Sequence, residues 1–154
     1  MRYGIEELTG NGKKTKLGKQ GVWLFKDQEG RVRVIAHYLN NLKHGSYSTF
    51  YPNGQIEMDG QNEYGVHSGE WKDYYENGQI KQEAHYIGKE FFPTNFWLEN
   101  GEQLLINGTG KTIEAFGVSG HEVVEFHFLN RVFVKEVKLT DVRYGKFIAK
   151  DEMS

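Results

Sequence analysis

Three Asn-Gly pairs constrain this chain more than any other feature. Asn53-Gly54, Asn77-Gly78 and Asn100-Gly101 place their glycines 24 and then 23 residues apart. A fixed period in this range marks a repeat architecture. In the clearest copy, Trp71 and the pair Tyr74-Tyr75 precede the turn and Ile80 follows it. Tyr51-Pro52-Asn53-Gly54-Gln55-Ile56 is a second copy, and Leu98-Glu99-Asn100-Gly101 a third, worn one.

Composition narrows what such a repeat can build. Hydrophobic residues make up 38% of the 154 residues, low for a thick core, while aromatics reach 14%. Gly is frequent at 19 residues and Pro rare at 2. That mix suits short strands and tight turns, with burial supplied by rings. No stretch of ten or more residues carries a 3.6-residue apolar period. The expected fold is therefore all-β: repeated antiparallel β-hairpins in an elongated, twisted single-layer sheet with little or no helix.

A two-residue type I′ turn at Asn77-Gly78 would set the register of the clearest hairpin. Tyr75 would then face Ile80, Trp71 would face Ala84, and Lys72 would face Glu83. Such cross-strand pairs contribute roughly 0.2–1 kcal/mol each. Period 2 puts Trp71, Tyr75, Ile80 and Ala84 on one side, and Lys72, Tyr74, Glu83 and His85 on the other. The same rule pairs Tyr51 with Ile56 and Tyr47 with Gly60. In an earlier copy, Trp23 follows Gly21 as Trp71 follows Gly69, Glu29 replaces the turn Asn, and Ala36-His37-Tyr38 matches Ala84-His85-Tyr86. Phe126-His127-Phe128, after Gly120, is a last echo.

This gives about five repeats over 21–131, bounded 21–44, 45–68, 69–90, 91–109 and 110–131. Residues 1–20 form a lysine-rich lead-in or cap. Residues 132–154 form capping strands, with a turn near Thr140-Asp141 and a frayed tail, as array ends are expected to be atypical.

The pattern Gly-x-Trp-x-x-Tyr-Tyr-x-Asn-Gly-x-Ile over Gly69–Ile80 resembles the MORN-variant repeat, and Leu42-Lys43-His44-Gly45 resembles the step that links such repeats. The resemblance covers about 21–131 and is strongest over 45–90. It departs in the fourth unit, where Thr94 stands for Trp71 and Gln103 for Ile80. Bacterial proteins with this repeat form a YwqK-type, antitoxin-like group. The resemblance thus implies a non-enzymatic protein that binds another protein, a toxin or effector. Related arrays serve as scaffolds and lipid-associated modules.

Candidate chemistry is sparse. Gly108-Thr109-Gly110-Lys111-Thr112 lacks the leading glycine of a phosphate loop, since Leu105 holds that position. His37, His85 and His127 fall on separate repeats, too far apart to share an ion. Glu99 and Glu102 flank an exposed turn, which gives no burial to separate their pKa values. No cofactor, metal site or catalytic set is expected. A formal net charge of −2 gives no case for nucleic acid. Lys13, Lys14, Lys16 and Lys19 could meet anionic lipid. The absence of cysteine leaves cytosol and periplasm both open, and the lack of an apolar leader or spanning run leads us to expect a cytoplasmic protein. The expected partner-binding residues are Trp23, Tyr47, Tyr51, Trp71 and Tyr75. Asn53, Gly54, Asn77, Gly78, Asn100 and Gly101 are expected to be turn residues.

Overall fold

The computed structural model describes residues 7–116, 122–143 and 146–149. The described residues form thirteen strands and no helix. Two compact units divide the chain, Met1–Phe91 and Phe92–Ser154. The first contains β1 (Thr9–Thr15), β2 (Gly18–Lys26), β3 (Val32–Leu39), β4 (Leu42–Phe50), β5 (Ile56–Glu63), β6 (Val66–Tyr74), β7 (Ile80–Ile87) and the opening of β8 (Glu90–Trp97). The second holds the rest of β8, then β9 (Gln103–Ile106), β10 (Thr109–Phe116), β11 (Glu122–Leu129), β12 (Val132–Arg143) and β13 (Lys146–Ala149). Within each unit, consecutive strands pair antiparallel in an open sheet.

The hairpin register holds in mid-strand and fails at the turn. Trp71 faces Ala84, Lys72 faces Glu83 and Tyr47 faces Gly60, as expected. Near the turn, however, Tyr74 rather than Tyr75 faces Ile80, and Phe50 rather than Tyr51 faces Ile56. The cause is the turn type. Gly78 N donates to Tyr75 O at 2.9 Å and Tyr75 N to Gln79 O at 2.8 Å, and Gly78 alone in the loop has positive φ, at 89°. This is a type I turn closed by a left-handed glycine bulge, not a two-residue type I′ turn. The bulge leaves Lys81 as an extra residue on the returning strand and moves Ile80 off the side it would have shared with Ala84.

The same turn occurs at Tyr51–Gln55, Leu98–Glu102 and Asp27–Arg31. In three copies the Asn carboxamide explains the choice of residue. Asn53, Asn77 and Asn100 each accept through Oδ1 the N–H two residues on, at 2.9 Å. In the first copy Asp27 does this work instead, accepting the N–H groups of Glu29 and Arg31 at 3.0 Å each. Gly78→Ala forces a Cβ into the left-handed region, where L-residues cost roughly 1–2 kcal/mol. Urea unfolding should show a loss of that size with the m-value unchanged.

The type I′ geometry lies at the opposite hairpin ends. Asn40-Asn41, Tyr64-Gly65, Asn107-Gly108 and Asn130-Arg131 have two successive residues at positive φ. Their exposed donors are satisfied by a repeated device. The first residue of each turn donates to a side chain on a preceding strand: Gln20, His44, Asn95 and Thr109 respectively. The second donates to the carbonyl of the residue just before that acceptor: Lys19, Lys43, Thr94 and Gly108. Each linking turn is thereby stitched to the hairpin before it. His44, in the linking step, owes its place to this role.

The turn expected near Thr140-Asp141 is absent, because β12 continues through Arg143 before pairing with β13. The turn at Gly120, the Tyr144-Gly145 pair, residues 1–6 and the tail from 150 lie outside the described residues.

Candidate functional site

The first unit is organised by a row of side chains running across its strands. Gly12, Trp23, Ala36, Tyr47, Gly60, Trp71 and Ala84 follow one another from β1 to β7, small and large in alternation. A Cβ added at Gly60 would lie 2.1 Å from the Trp71 ring, and one at Gly12 2.6 Å from the Trp23 ring. Each indole fills the slot left by a glycine on the preceding strand. Each also donates its Nε1–H, at 3.1 Å, to the carbonyl of the residue after that glycine, Lys13 or Gln61. Tyr47 is smaller and faces Ala36. Gly69, at φ 66°, opens the bulge that lifts Trp71 over Gly60.

This row settles the places of the five expected contact residues. Trp23, Tyr51 and Trp71 are buried, at 8%, 8% and 5% exposure. Tyr51 donates its hydroxyl to Tyr74 O at 2.7 Å, tying one turn to the next, and Asn53 Nδ2 reaches Glu76 O at 3.0 Å beside it. Tyr47 and Tyr75 are half-buried. Lys81 Nζ lies 5.7 Å from the Tyr75 ring. The two indoles are thus a floor, and the accessible rings stand around them.

Those accessible rings form two clusters on the indole side of the first unit. Phe25 and Tyr38 pack against Trp23, with ring centroids at 6.2 Å in each case. Tyr47, His67 and Tyr86 pack against Trp71 at 6.0, 4.1 and 6.0 Å, and Phe91 lies 5.3 Å beyond Tyr86. Phe25, Tyr38, Tyr47, His67 and Tyr86 are half-buried and Phe91 is exposed. Two ammonium groups lie on this face: Lys19 over Trp23 and Tyr38, and Lys43 over Tyr47 at 4.6 Å. Sequence reasoning missed Phe25, Tyr38, His67, Tyr86, Phe91, Lys19 and Lys43 as members of the face. Period 2 could have found three of them, since Phe25, Tyr38 and Tyr86 stand two residues beyond Trp23, Ala36 and Ala84.

Burial sets the protonation of this face. It raises the Tyr38 phenol above its ordinary value, and for Tyr86 the charge of Asp73 adds to burial. Both hydroxyls therefore remain donors at neutral pH. Burial, with the charge of Lys43, lowers His67, whose Nδ1 lies 2.8 Å from Oδ1 of the buried Asn62. A neutral His67 donates that proton and packs tilted against Trp71 without an unpaired charge.

The opposite side of the first unit is mixed, with Val32, Ile35 and Phe50 lining an apolar hollow toward the Asn-Gly turns. Ser46, Asp59, Gln61, Glu70, Lys72 and Tyr74 line a shallow, open groove there. His37 and His85 stand on β3 and β7 of the first unit, and His127 on β11 of the second, where its Nε2 lies 2.9 Å from Glu125. Among the described residues no three His, Asp or Glu side chains gather as metal ligands. Lys111 of the phosphate-loop look-alike stands in β10, not at a helix, and its Nζ lies 2.6 Å from Glu125. Glu99 and Glu102 are both exposed beside their turn. In the fourth repeat the core moves two positions along: Phe96 and Leu105 face each other and are buried, in place of Thr94.

Residues 43–61 and 68–87 match the family described as MORN repeat variant. Both matched segments lie within the first unit. They carry Tyr47 and Trp71 at equivalent places in the row, and their second strands end at the edge of the aromatic face. MORN repeats are generally non-catalytic modules that bind proteins or lipids. No curated protein matches the chain.

Proposed function

We propose that this chain is a non-enzymatic binding protein that grips a protein partner with the aromatic face of its first unit, in an antitoxin- or immunity-like role in the cytoplasm. The observation that supports it most is the set of half-exposed rings held in place by buried indoles. Tyr and Trp are enriched at interfaces because a rigid ring gives large contact area at small entropic cost. Here Tyr38, Tyr47 and Tyr86 are preordered by Trp23 and Trp71, which lowers that cost further. Lys19 and Lys43 on the rings favour a partner with an acidic patch.

The test starts from affinity capture in the native host, followed by identification of the captured protein and calorimetry with the purified pair. Tyr47→Ala with Tyr86→Ala is expected to weaken binding by about 30-fold or more, as loss of a central hot spot does. Lys43→Glu should weaken it and reverse its salt dependence. For the antitoxin role, the captured protein should arrest growth when expressed alone, and co-expression of the wild type, not of the double variant, should restore it. Equal binding by folded face variants would refute the face assignment, and a harmless partner the antitoxin role.

A second reading, a lipid-associated scaffold, draws support from β1 and its turn. Lys13, Lys14 and Lys16 are exposed there beside Leu17, itself 64% exposed. Flotation with anionic vesicles should then be salt-sensitive and lost on Lys13→Glu with Lys14→Glu.

A further inference from the structure

Among its described residues the first unit exposes eight large apolar side chains, and seven of them stand at one end of its hairpins. Leu17 lies in the β1–β2 turn. Leu39 and Leu42 flank the β3–β4 turn, Tyr64 and Val66 belong to the β5–β6 turn, and Ile87 and Phe91 bracket the β7–β8 turn. The turns at the other end carry none. Four of the seven point away from the aromatic face. Tyr38, Lys43, His67 and Tyr86 lie against its rings, so alternation sends their neighbours Leu39, Leu42, Val66 and Ile87 to the opposite side. These four form an apolar rim along the hairpin tips on that side. Leu42 also approaches the next turn, with Cδ2 3.6 Å from where a Gly65 Cβ would be. The linking-turn stitches from Asn41 to Lys19 and from Gly65 to Lys43 hold three successive tips in line.

Two properties of the rim select its occupant. Successive tips are two strands apart, roughly 9.6 Å. Seven residues of α-helix rise roughly 10.5 Å, so a helix crossing the strands meets one tip per heptad. The charge beside the rim is also patterned. Glu63, opposite Val66, stands at the central tip and Glu70 lies in the groove inward of it, while deeper in Asp59 faces Lys72 across the strands. Lys16 and Lys89 stand in the turns at its two ends.

We infer that this rim docks an amphipathic helix of a partner protein, with apolar side chains at heptad spacing on Leu42, Val66 and Ile87 and basic side chains on its central flank facing Glu63 and Glu70. This is a second surface, on the opposite side of the sheet from the aromatic face and independent of it. Wide apolar contact in heptad register supplies affinity, and the central carboxylates set orientation and reject acidic helices.

The probe is a fluorescein-labelled helical peptide of about 21 residues, spanning three tips. It carries Leu at each heptad position and Lys on the central flank; a control carries Glu in place of Lys. Anisotropy titration should give saturable binding of the Lys peptide, at least about 10-fold tighter than the Glu peptide. Leu42→Ser, Val66→Ser and Ile87→Ser combined should weaken the Lys peptide by a similar factor, since removing exposed apolar anchors leaves the fold in place. Glu70→Lys should narrow or reverse the preference between peptides, and Tyr47→Ala with Tyr86→Ala should leave it unchanged. Absence of saturable binding, equal binding of both peptides, or an unaffected triple variant overturns the inference. So does self-association that the triple variant abolishes and the peptide fails to compete with, which assigns the rim to a second copy. Vesicle binding abolished by the triple variant while peptide binding persists overturns exclusive use by a helix and assigns the rim to lipid.

Discussion

Trp71→Ala is expected to destabilise the first unit by about 3–5 kcal/mol, the range for removing a buried Trp side chain. The indole is 5% exposed, spans Gly60 on one side and Ala84 on the other, and carries His67 and Tyr86 against it. A thin sheet has no second layer from which side chains could collapse into the gap. The loss also strands the ring cluster that the row supports. Gly60→Ala tests the same joint from the opposite strand. Its φ is not in the left-handed region, so the backbone accepts alanine, yet the new methyl would lie 2.1 Å from the ring. Overpacking of this kind costs typically 1–3 kcal/mol. The decisive measurement is the double-mutant cycle. Gly60→Ala with Trp71→Leu should be more stable than additivity allows, because the smaller side chain makes room for the methyl. Additive losses in urea unfolding would show that the glycine is needed for a reason other than the slot. Tyr47, over Ala36 in the neighbouring repeat, is the natural control: there a methyl and a ring already coexist.

That row also shows what could be read from the sequence and what could not. The 24-residue step carries the hairpins, the mid-strand pairs Trp71–Ala84 and Tyr47–Gly60, and the all-β class. Each follows from period and alternation, which are properties of composition along the chain. The turn type does not follow, because Asn-Gly serves two turns equally well. A left-handed Gly78 with Asn77 Oδ1 on the Gln79 N–H closes a bulged type I turn, while the type I′ form needs both residues left-handed. The difference is one residue of register, and it removed Ile80 from the indole side and from its expected partner Tyr75. Burial was equally illegible. Trp23 and Trp71 read as contact residues because their alternation was clear, but the slot at Gly12 and Gly60 exists only once the strands are adjacent. In the second unit the motif weakens, and with it the foresight. Phe96, buried at 2%, took over the core from a position held by Thr94, and nothing in the motif announced the shift.

Acid is expected to remove stability in two stages, and the groups responsible are identifiable. The first stage belongs to His67. Burial and then the charge of Lys43 hold its folded pKa below the ordinary 6.5. Above that value neither state is protonated and stability is full. As pH falls below 6.5 the unfolded chain gains a proton that the folded one refuses, so stability drops until the folded pKa is passed. The second stage belongs to Asp27 and Glu125, whose folded pKa values lie below 3.8 and 4.5 respectively. For Asp27, burial pushes the other way but is outweighed by the Arg31 N–H, the Arg31 guanidinium at 2.8 Å and the Glu29 N–H. For Glu125, Lys111 and His127 outweigh burial in the same manner. Stability from a depressed carboxyl is present above its ordinary value and is lost as pH falls through the folded pKa. All three groups therefore act in one direction, in different windows. Urea unfolding at about pH 7.5, 5 and 3 should show a decline in each interval. His67→Gln keeps a donor for Asn62 but does not titrate, and it should flatten the upper interval only. Asp27→Asn should make the lower one shallower, leaving the share of Glu125, while weakening the protein at neutral pH, since Arg33, 12% exposed, loses the carboxylate 3.7 Å away. An upper interval that stays steep in His67→Gln would assign it to another histidine, and the buried stack on Trp71 would then play no part in the acid response.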